Sequence, residues 1–335
     1  MFSEPPENSS RLVPGRKASP PKVESNMFRV SIIGARRERN GIGEYIGKYF
    51  HQHGAEVTSV LGRTEETSRL ASLGLERYGI RATPYTRLDD MVEHERPDAI
   101  VIASPSSTHF DYLVKGVDLG LHVFCEKPLI WPIEAQNMKR LEAKLMKARR
   151  EGLTIAMNTQ WPFAMKDYEK LCGKVAPEES DHFFIWLSPL SAGKEMIPES
   201  IPHALSLLWF HLGEGRLENV RCTWADPGEL VVCFRYAAKT HPCEVTIKLV
   251  KKGEQPREFQ FGFNHKIVTR KIDLRHYGIY FDYGDKRLKI EDPLELSVIH
   301  FMQAAKEKRE PFMGSVDLLK NLSLLKEIYE QCQDP

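Results

Sequence analysis

The chain contains no apolar run of the ~20 residues that a helix needs to cross a bilayer. Its opening residues hold no apolar core of the kind that marks a secretory signal. Net charge is almost absent: 47 Lys and Arg stand against 46 Asp and Glu, leaving +1. No global field therefore recruits nucleic acid or an acidic membrane. Cysteine is sparse, and the six at 125, 172, 222, 233, 243 and 332 form neither a C-x-x-C pair nor a metal-type spacing. The expectation is a cytoplasmic protein with free thiols and no bound metal. No internal repeat is evident.

What is present suits a folded globular chain: 41% apolar and 28% charged residues over 335 positions, enough for two domains with separate cores. Residues 1–26 are the exception. Pro5, Pro6, Pro14, Pro20 and Pro21 fall there among Ser, Glu and Lys with little to bury, which predicts a disordered tail.

Folding sequence begins at Phe28. Residues 28–33 read as a short β-branched strand that ends at Gly34. Ile42, Tyr45, Ile46, Tyr49 and Phe50 recur at helical spacing, and Gly54 ends that helix. Residues 55–61 form a second strand. Strand, glycine-rich turn, helix and strand open a dinucleotide-binding unit. Glycines let the backbone approach a pyrophosphate, and the helix N-terminus offers N–H groups and positive potential. The spacing is not the plain G-x-G-x-x-G. Arg36 and Arg37 follow Gly34, and Gly41, Ile42, Gly43 and Gly47 give G-x-G-x-x-x-G. The loop is lengthened, with Gly41 and Gly43 at the helix entry. Any one of Arg36, Arg37 and Arg39 reads as solvated charge. The functional reading is phosphate contact, because the guanidinium fork matches phosphate oxygens. The second strand is followed by Arg63 and Thr64. An acid there would select NAD through the ribose hydroxyls, whereas Arg accommodates the 2′-phosphate of NADP. NADP is the preferred cofactor and NAD the second choice.

Strand and helix keep alternating, which implies right-handed parallel crossovers. A buried strand over 97–103 runs into Ser104, Pro105, Ser106, Ser107, Thr108 and His109. These lie on the same sheet edge as Gly34, and small residues there would let a cofactor pass close to the backbone. The next strand, 122–125, leads into Glu126, Lys127 and Pro128. Ligands of open α/β sheets bind outside the carboxyl ends of the strands. A partly desolvated Lys127 there has a lowered pKa and exchanges protons nearer neutrality, with Glu126 to orient it. The Lys127–Pro128 bond is a candidate cis peptide. Taken alone, Glu-Lys-Pro after a strand is more often a polar turn.

The ordered set of Gly34 with Gly41-x-Gly43, then Ser104 to His109, then Glu126-Lys127-Pro128, resembles the Gfo/Idh/MocA oxidoreductases, from Phe28 to about Gln331. The resemblance implies an α/β architecture: an N-terminal Rossmann doubly wound parallel sheet and a C-terminal domain with a large, mostly antiparallel sheet. It also implies NAD(P)-dependent oxidation or reduction of a sugar- or cyclitol-like hydroxyl or carbonyl. Relatives often carry Asn at the position of Asn158, near nicotinamide and substrate. They commonly show Asp-x-x-x-His-x-x-Asp where this chain has Glu199, His203 and Ser206. His203 matches the proton-transfer residue, Glu199 keeps a carboxylate on a longer arm, and Ser206 loses one.

The rest of the chain fits this division: a Rossmann domain over 27–152 and a substrate-binding and oligomerisation domain over 153–335. Charged, amphipathic residues 131–151 predict a helix. β-branched and aromatic runs between 181 and 290 suit a broad sheet. Two helices close the chain, the last packing back on the first domain. A sheet face left uncovered predicts a homodimer or homotetramer. His203 or Lys127 takes the hydroxyl proton, and Lys127 stabilises the alkoxide. Trp161, Lys194 and His211 are candidates to line the substrate pocket. Two other readings stand beside this one: a non-redox NADP-binding regulator, and an enzyme that holds its nucleotide tightly for internal lyase- or epimerase-like redox chemistry.

Overall fold

The computed structural model describes residues 27–35 and 42–335. The expected tail over 1–26 and the loop residues Arg36, Arg37, Arg39 and Gly41 lie outside them. The first layer runs β1 (Arg29–Ile33), α1 (Gly43–Gln52), β2 (Glu56–Leu61), α2 (Glu65–Glu76), β3 (Thr83–Tyr85), α3 (Leu88–Glu95), β4 (Ala99–Ile102), α4 (His109–Asp118), β5 (His122–Glu126), α5 (Ala135–Arg150) and β6 (Ile155–Asn158). Its six strands are all parallel, in the order β3-β2-β1-β4-β5-β6. The order reverses between β1 and β4, and that is where a crevice opens beyond the strand ends. β6 pairs with β5 from Ile155 to Asn158, so this sheet continues past the expected division at 152.

α1 forms because Ile46, Tyr49 and Phe50 share one apolar face, and that face is buried. Phe50 meets Phe124 of β5 edge-on at 6.1 Å. α5 starts at Ala135 rather than 131, because the residue before Pro132 disfavours helical backbone.

The second layer begins with α6 (Met165–Cys172), β7 (His182–Leu187) and α7 (Met196–Leu212). Seven strands follow: β8 (Gly215–Asp226), β9 (Glu229–Ala238), β10 (Pro242–Val250), β11 (Phe259–Phe263), β12 (Lys266–Asp273), β13 (Gly278–Tyr283) and β14 (Lys286–Ile290). The eight strands order as β14-β13-β12-β11-β7-β10-β9-β8 and are antiparallel except for the β7–β10 pair. Period-two alternation sets the inner face. Leu230, Val232, Phe234 and Tyr236 of β9 are buried beneath α7, and the residues between them are not.

The closing helices join the two layers. α8 (Pro293–Lys306) lies on α1, and its Phe301 packs against Phe50 at 6.0 Å and Phe124 at 5.2 Å. Each such buried Phe contributes roughly 1.5–3 kcal/mol. α9 (Ser315–Gln331) packs between α7 and α5, as expected for the last helix.

The cysteine expectation needs a correction. Cys222 of β8 is disulfide-bonded to Cys332, across 110 residues and a Cα–Cα distance of 5.3 Å. α9 ends beside β8, where Trp224 Nε1 also donates to the Gln333 carbonyl at 3.0 Å. Spacing in sequence carries no trace of that approach. A bridge closing so long a loop stabilises by up to about 4–5 kcal/mol through the unfolded chain. A reductant should therefore lower the melting temperature of the wild type and leave Cys332→Ser, already lowered, unmoved. Equal melting temperatures with and without reductant in the wild type would contradict the linkage.

Candidate active site at the domain junction

The crevice is built from backbone first. Gly34, just after β1, has φ of +84°, a conformation that favours glycine. A Cβ placed on it would lie 2.7 Å from the Ser104 nitrogen. On Gly43, at the entry to α1, a Cβ would lie 2.7 Å from the Gly34 oxygen. The two loops and the helix end meet with no room for a side chain. Ile42 makes no side-chain cap, so among the described residues no side chain caps the first N–H groups of α1. An uncapped helix N-terminus over a glycine floor fits a dinucleotide pyrophosphate. Arg63 is exposed beyond β2. Thr64 is committed to capping α2, accepting from Thr67 N at 3.2 Å.

Ser104 and Ser106 are half-buried and Pro105 is exposed. Ser104 Oγ pairs with Thr108 Oγ1 at 2.7 Å. His109 is 1% exposed, and its ring is occupied: Nδ1 lies 2.8 Å from the Pro128 carbonyl and Nε2 2.8 Å from the Ser104 carbonyl. It braces the two edge loops against each other and presents no free nitrogen to a ligand.

Lys127 stands at the junction. The peptide to Pro128 is cis, as the sequence suggests. The ammonium donates to the backbone carbonyl of Glu199 on α7, so one hydrogen bond ties the Rossmann edge to the second layer. Burial pushes the Lys127 pKa down and Arg257 adds to that, while Glu126 and Glu199 oppose it. Glu126 moves the other way: burial raises its pKa, offset in part by Lys127 and by Asn158. Asn158 Nδ2 donates to Glu126 Oε1 at 2.5 Å and its Oδ1 accepts from Ser297 on α8 at 3.1 Å.

His203 lies two turns into α7, closer to the helix middle than expected, because the helix already begins at Met196. Its Nδ1 is buried without a hydrogen-bond partner among the described residues. Burial, then Lys127 and Arg270, hold its pKa well below the ordinary value, so the ring is neutral at pH 7. Glu199 is otherwise engaged. Its two oxygens accept from the Leu190 and Ser191 amides at 2.9 Å each, and Arg257 lies 3.8 Å from one of them. Burial pulls its pKa up, but the Leu190 and Ser191 hydrogen bonds and the Lys127 charge together bring it below the ordinary value. It anchors the loop after β7 rather than offering a free carboxylate. Ser206 donates to the His203 carbonyl at 2.9 Å.

Trp161 is buried and stacked on Phe259 at 3.7 Å, with Arg270 over both rings. Two other candidates fall elsewhere. Lys194 sits over the Tyr329 ring of α9, and His211 pairs with Ser180 at the far end of α7. The sequence reading missed Arg257 and Arg270, both brought to this cleft by the antiparallel sheet. A signal existed: Arg270 shares strand face with buried Val268, an inward place where Arg is rare.

Residues 28–153 match the family model described as "Oxidoreductase family, NAD-binding Rossmann fold" (GFO_IDH_MocA). That stretch is similar to the NAD-binding Rossmann part of the Gfo/Idh/MocA oxidoreductases. Inositol 2-dehydrogenase of Corynebacterium glutamicum is 29% identical over 126 residues, 37% of this chain and 35% of that protein. The scyllo-inositol 2-dehydrogenase (NADP(+)) of Bacillus subtilis is 28% identical over 156 residues, covering 44% and 42%. The chain thus spans well under half the length of either curated relative it matches. Over nearly its whole length it shares its fold with KijD10, a 3-ketoreductase from Actinomadura kijaniata solved in complex with NADP. That match has a TM-score of 0.65 at 16% identity, covering 91% of this chain and 97% of that one.

Gly34→Ala tests the crevice. Forcing Cβ into a positive-φ site against the Ser104 backbone should cost about 1–3 kcal/mol in chemical denaturation and weaken dinucleotide binding together. Unchanged stability would contradict the packing.

Proposed function

We propose that the chain is an NAD(P)-dependent oxidoreductase that moves a hydride between nicotinamide C4 and a carbinol or carbonyl carbon of a sugar- or cyclitol-like substrate. The observation that carries it is the Lys127 ammonium at the carboxyl edge of the Rossmann sheet, tied to the Glu199 carbonyl of α7, with its charge acting on a buried, neutral His203 whose Nδ1 is unpartnered. The relatives named as inositol dehydrogenases support a polyol-like substrate. Arg63 favours NADP over NAD, since no acid stands there for the ribose hydroxyls.

Bound at Gly34, Gly43 and the Ser104–Ser106 loop, the nicotinamide dinucleotide supplies the hydride acceptor or donor. This chain's residues do the rest. His203 accepts the hydroxyl proton during oxidation and returns it in reduction, since a neutral imidazole is the competent base. Lys127, kept as a donor by the Glu199 carbonyl, stabilises negative charge on the substrate oxygen. Asn158 and Glu126 fix the Lys127 loop, and Glu199 fixes α7 against the loop after β7. Trp161 and Phe259 form an apolar wall.

No helix of the described residues is long and apolar enough to cross a membrane. A cytoplasmic location belongs to the same reading, with the Cys222–Cys332 bond as an exception to the free thiols usual in that compartment. The reading also places a second copy on the outer face of the antiparallel sheet, where Phe184, Trp186 and Val231 stand half-buried.

Lys127→Ala and His203→Ala should each lower kcat by about 100-fold or more while NADPH still binds. The pH profile gives a second readout. A base works unprotonated, and burial depresses His203 below its ordinary 6.5. Oxidation should then stay level as pH falls through 6.5 and decline only below it. An acid limb centred at or above 6.5, or full activity in either variant, would overturn the assignment.

A further inference from the structure

The cleft is built for more than a neutral polyol. Arg270 is half-buried, its Nε has no hydrogen-bond partner, and it has no ion pair within 4.0 Å among the described residues. Its one polar contact runs from Nη2 to the Arg257 carbonyl at 2.7 Å. Arg257 stands beside it, with Nη1 3.4 Å from the Ser188 carbonyl and 3.8 Å from a Glu199 oxygen already held by the Leu190 amide. Burial and the second guanidinium push the Arg270 pKa down to about 10. A desolvated cation without a counter-charge is costly to keep.

Four of the seven unpartnered buried side-chain atoms among the described residues belong to this region; the others are Trp186 Nε1 and the two amide atoms of Asn321. Thr159 Oγ1, Ser188 Oγ, His203 Nδ1 and Arg270 Nε all lack partners. Thr159 lies two residues before Trp161, and the Arg270 guanidinium lies over that ring at 5.4 Å. Ser188 receives Arg257, and Lys127 and Arg270 both act on His203. In folded proteins buried polar atoms are paired, so a cluster of orphans around two arginines marks the outline of a ligand. The nearby carboxylates are spent. Glu199 holds two amides, Glu126 holds Asn158, and Glu258 pairs with Lys252 at 2.9 Å. Asp292, whose charge also reaches Arg270, accepts from Tyr49, Tyr277 and the Leu294 amide.

We infer that the substrate carries an anionic group, a carboxylate or a phosphate, seated on Arg270 and Arg257 next to the carbon that reacts between His203 and Lys127. The guanidinium fork matches the paired oxygens of either anion. Thr159 and Ser188 offer hydroxyls to the same group or to its neighbours. The identity of the reacting carbon rests on the oxidoreductase reading; the anion seat does not.

Isothermal titration of the full chain with D-glucose, D-glucuronate and D-glucose 6-phosphate, with and without NADPH, tests it. An anionic probe should bind about tenfold or more tighter than the neutral sugar, and whichever anion binds tighter separates carboxylate from phosphate. Arg270→Met, which keeps the stem over Trp161, should bring the anions down to the neutral level. Arg257→Gln carries the same expectation should that variant not fold. Equal behaviour of charged and neutral probes in the wild type, including no binding of any, overturns the inference. So does a charge preference that survives both substitutions. Nicotinamide absorbance on the same probes is read separately. Anion preference without hydride transfer keeps the seat and removes the oxidoreductase reading. Turnover of D-glucose with no anion preference does the reverse.

Discussion

The structure depends on one ammonium. Lys127 leaves the edge of the parallel sheet and donates to the Glu199 carbonyl of α7, and through that contact the two layers share a site. A buried charge persists only where its donors are met and its field is balanced. Here the balance is spread over several elements. Glu126 comes from β5 and Glu199 from α7, while Arg257, just before β11, acts on Lys127 in the opposite sense, and Arg270 of β12 adds its charge at His203. The outcome is a cleft with more positive than negative charge, beside an imidazole that the same field keeps neutral.

Supporting contacts explain why this arrangement is rigid. His109 pins the Ser104 loop to Pro128, so the two edges that frame the crevice cannot move apart independently. Asn158 joins Glu126 of the first sheet to Ser297 of α8. Phe301 sets α8 into the core beneath α1. The residues around the chemistry are thus held by groups from three distant stretches of sequence, which is how a constellation is kept in place without a loop having to close over it.

Much of this was legible in the chain. Apolar strands alternating with helical spacing gave the parallel sheet, and the Lys127–Pro128 bond is cis as its place in the turn suggests. The pairing of Lys127 with His203 came from the family resemblance rather than from spacing, and the Lys127 charge does reach His203. What was not legible is long-range. Glu199 looked like a substituted catalytic carboxylate because local pattern cannot show that the Leu190 and Ser191 amides reach its oxygens. His109 looked like a cofactor contact because sequence does not say which way a ring at a loop end turns. Cys222 and Cys332 gave no sign of their bond, which depends on where α9 stops. Arg270 sits in a run that reads as ordinary strand, and Arg257 falls just before one. Only the sheet register, which puts Arg270 on the face of Phe259 and Val268, turns it inward.

The most direct test of the central claim, a nicotinamide dinucleotide seated on the Gly34–Gly43 crevice with NADP preferred, is a fluorescence titration of the purified protein with NADPH and, separately, NADH. The account predicts saturable binding of both, tighter for NADPH, with the difference removed by Arg63→Asp. Absence of binding by either dinucleotide would contradict it.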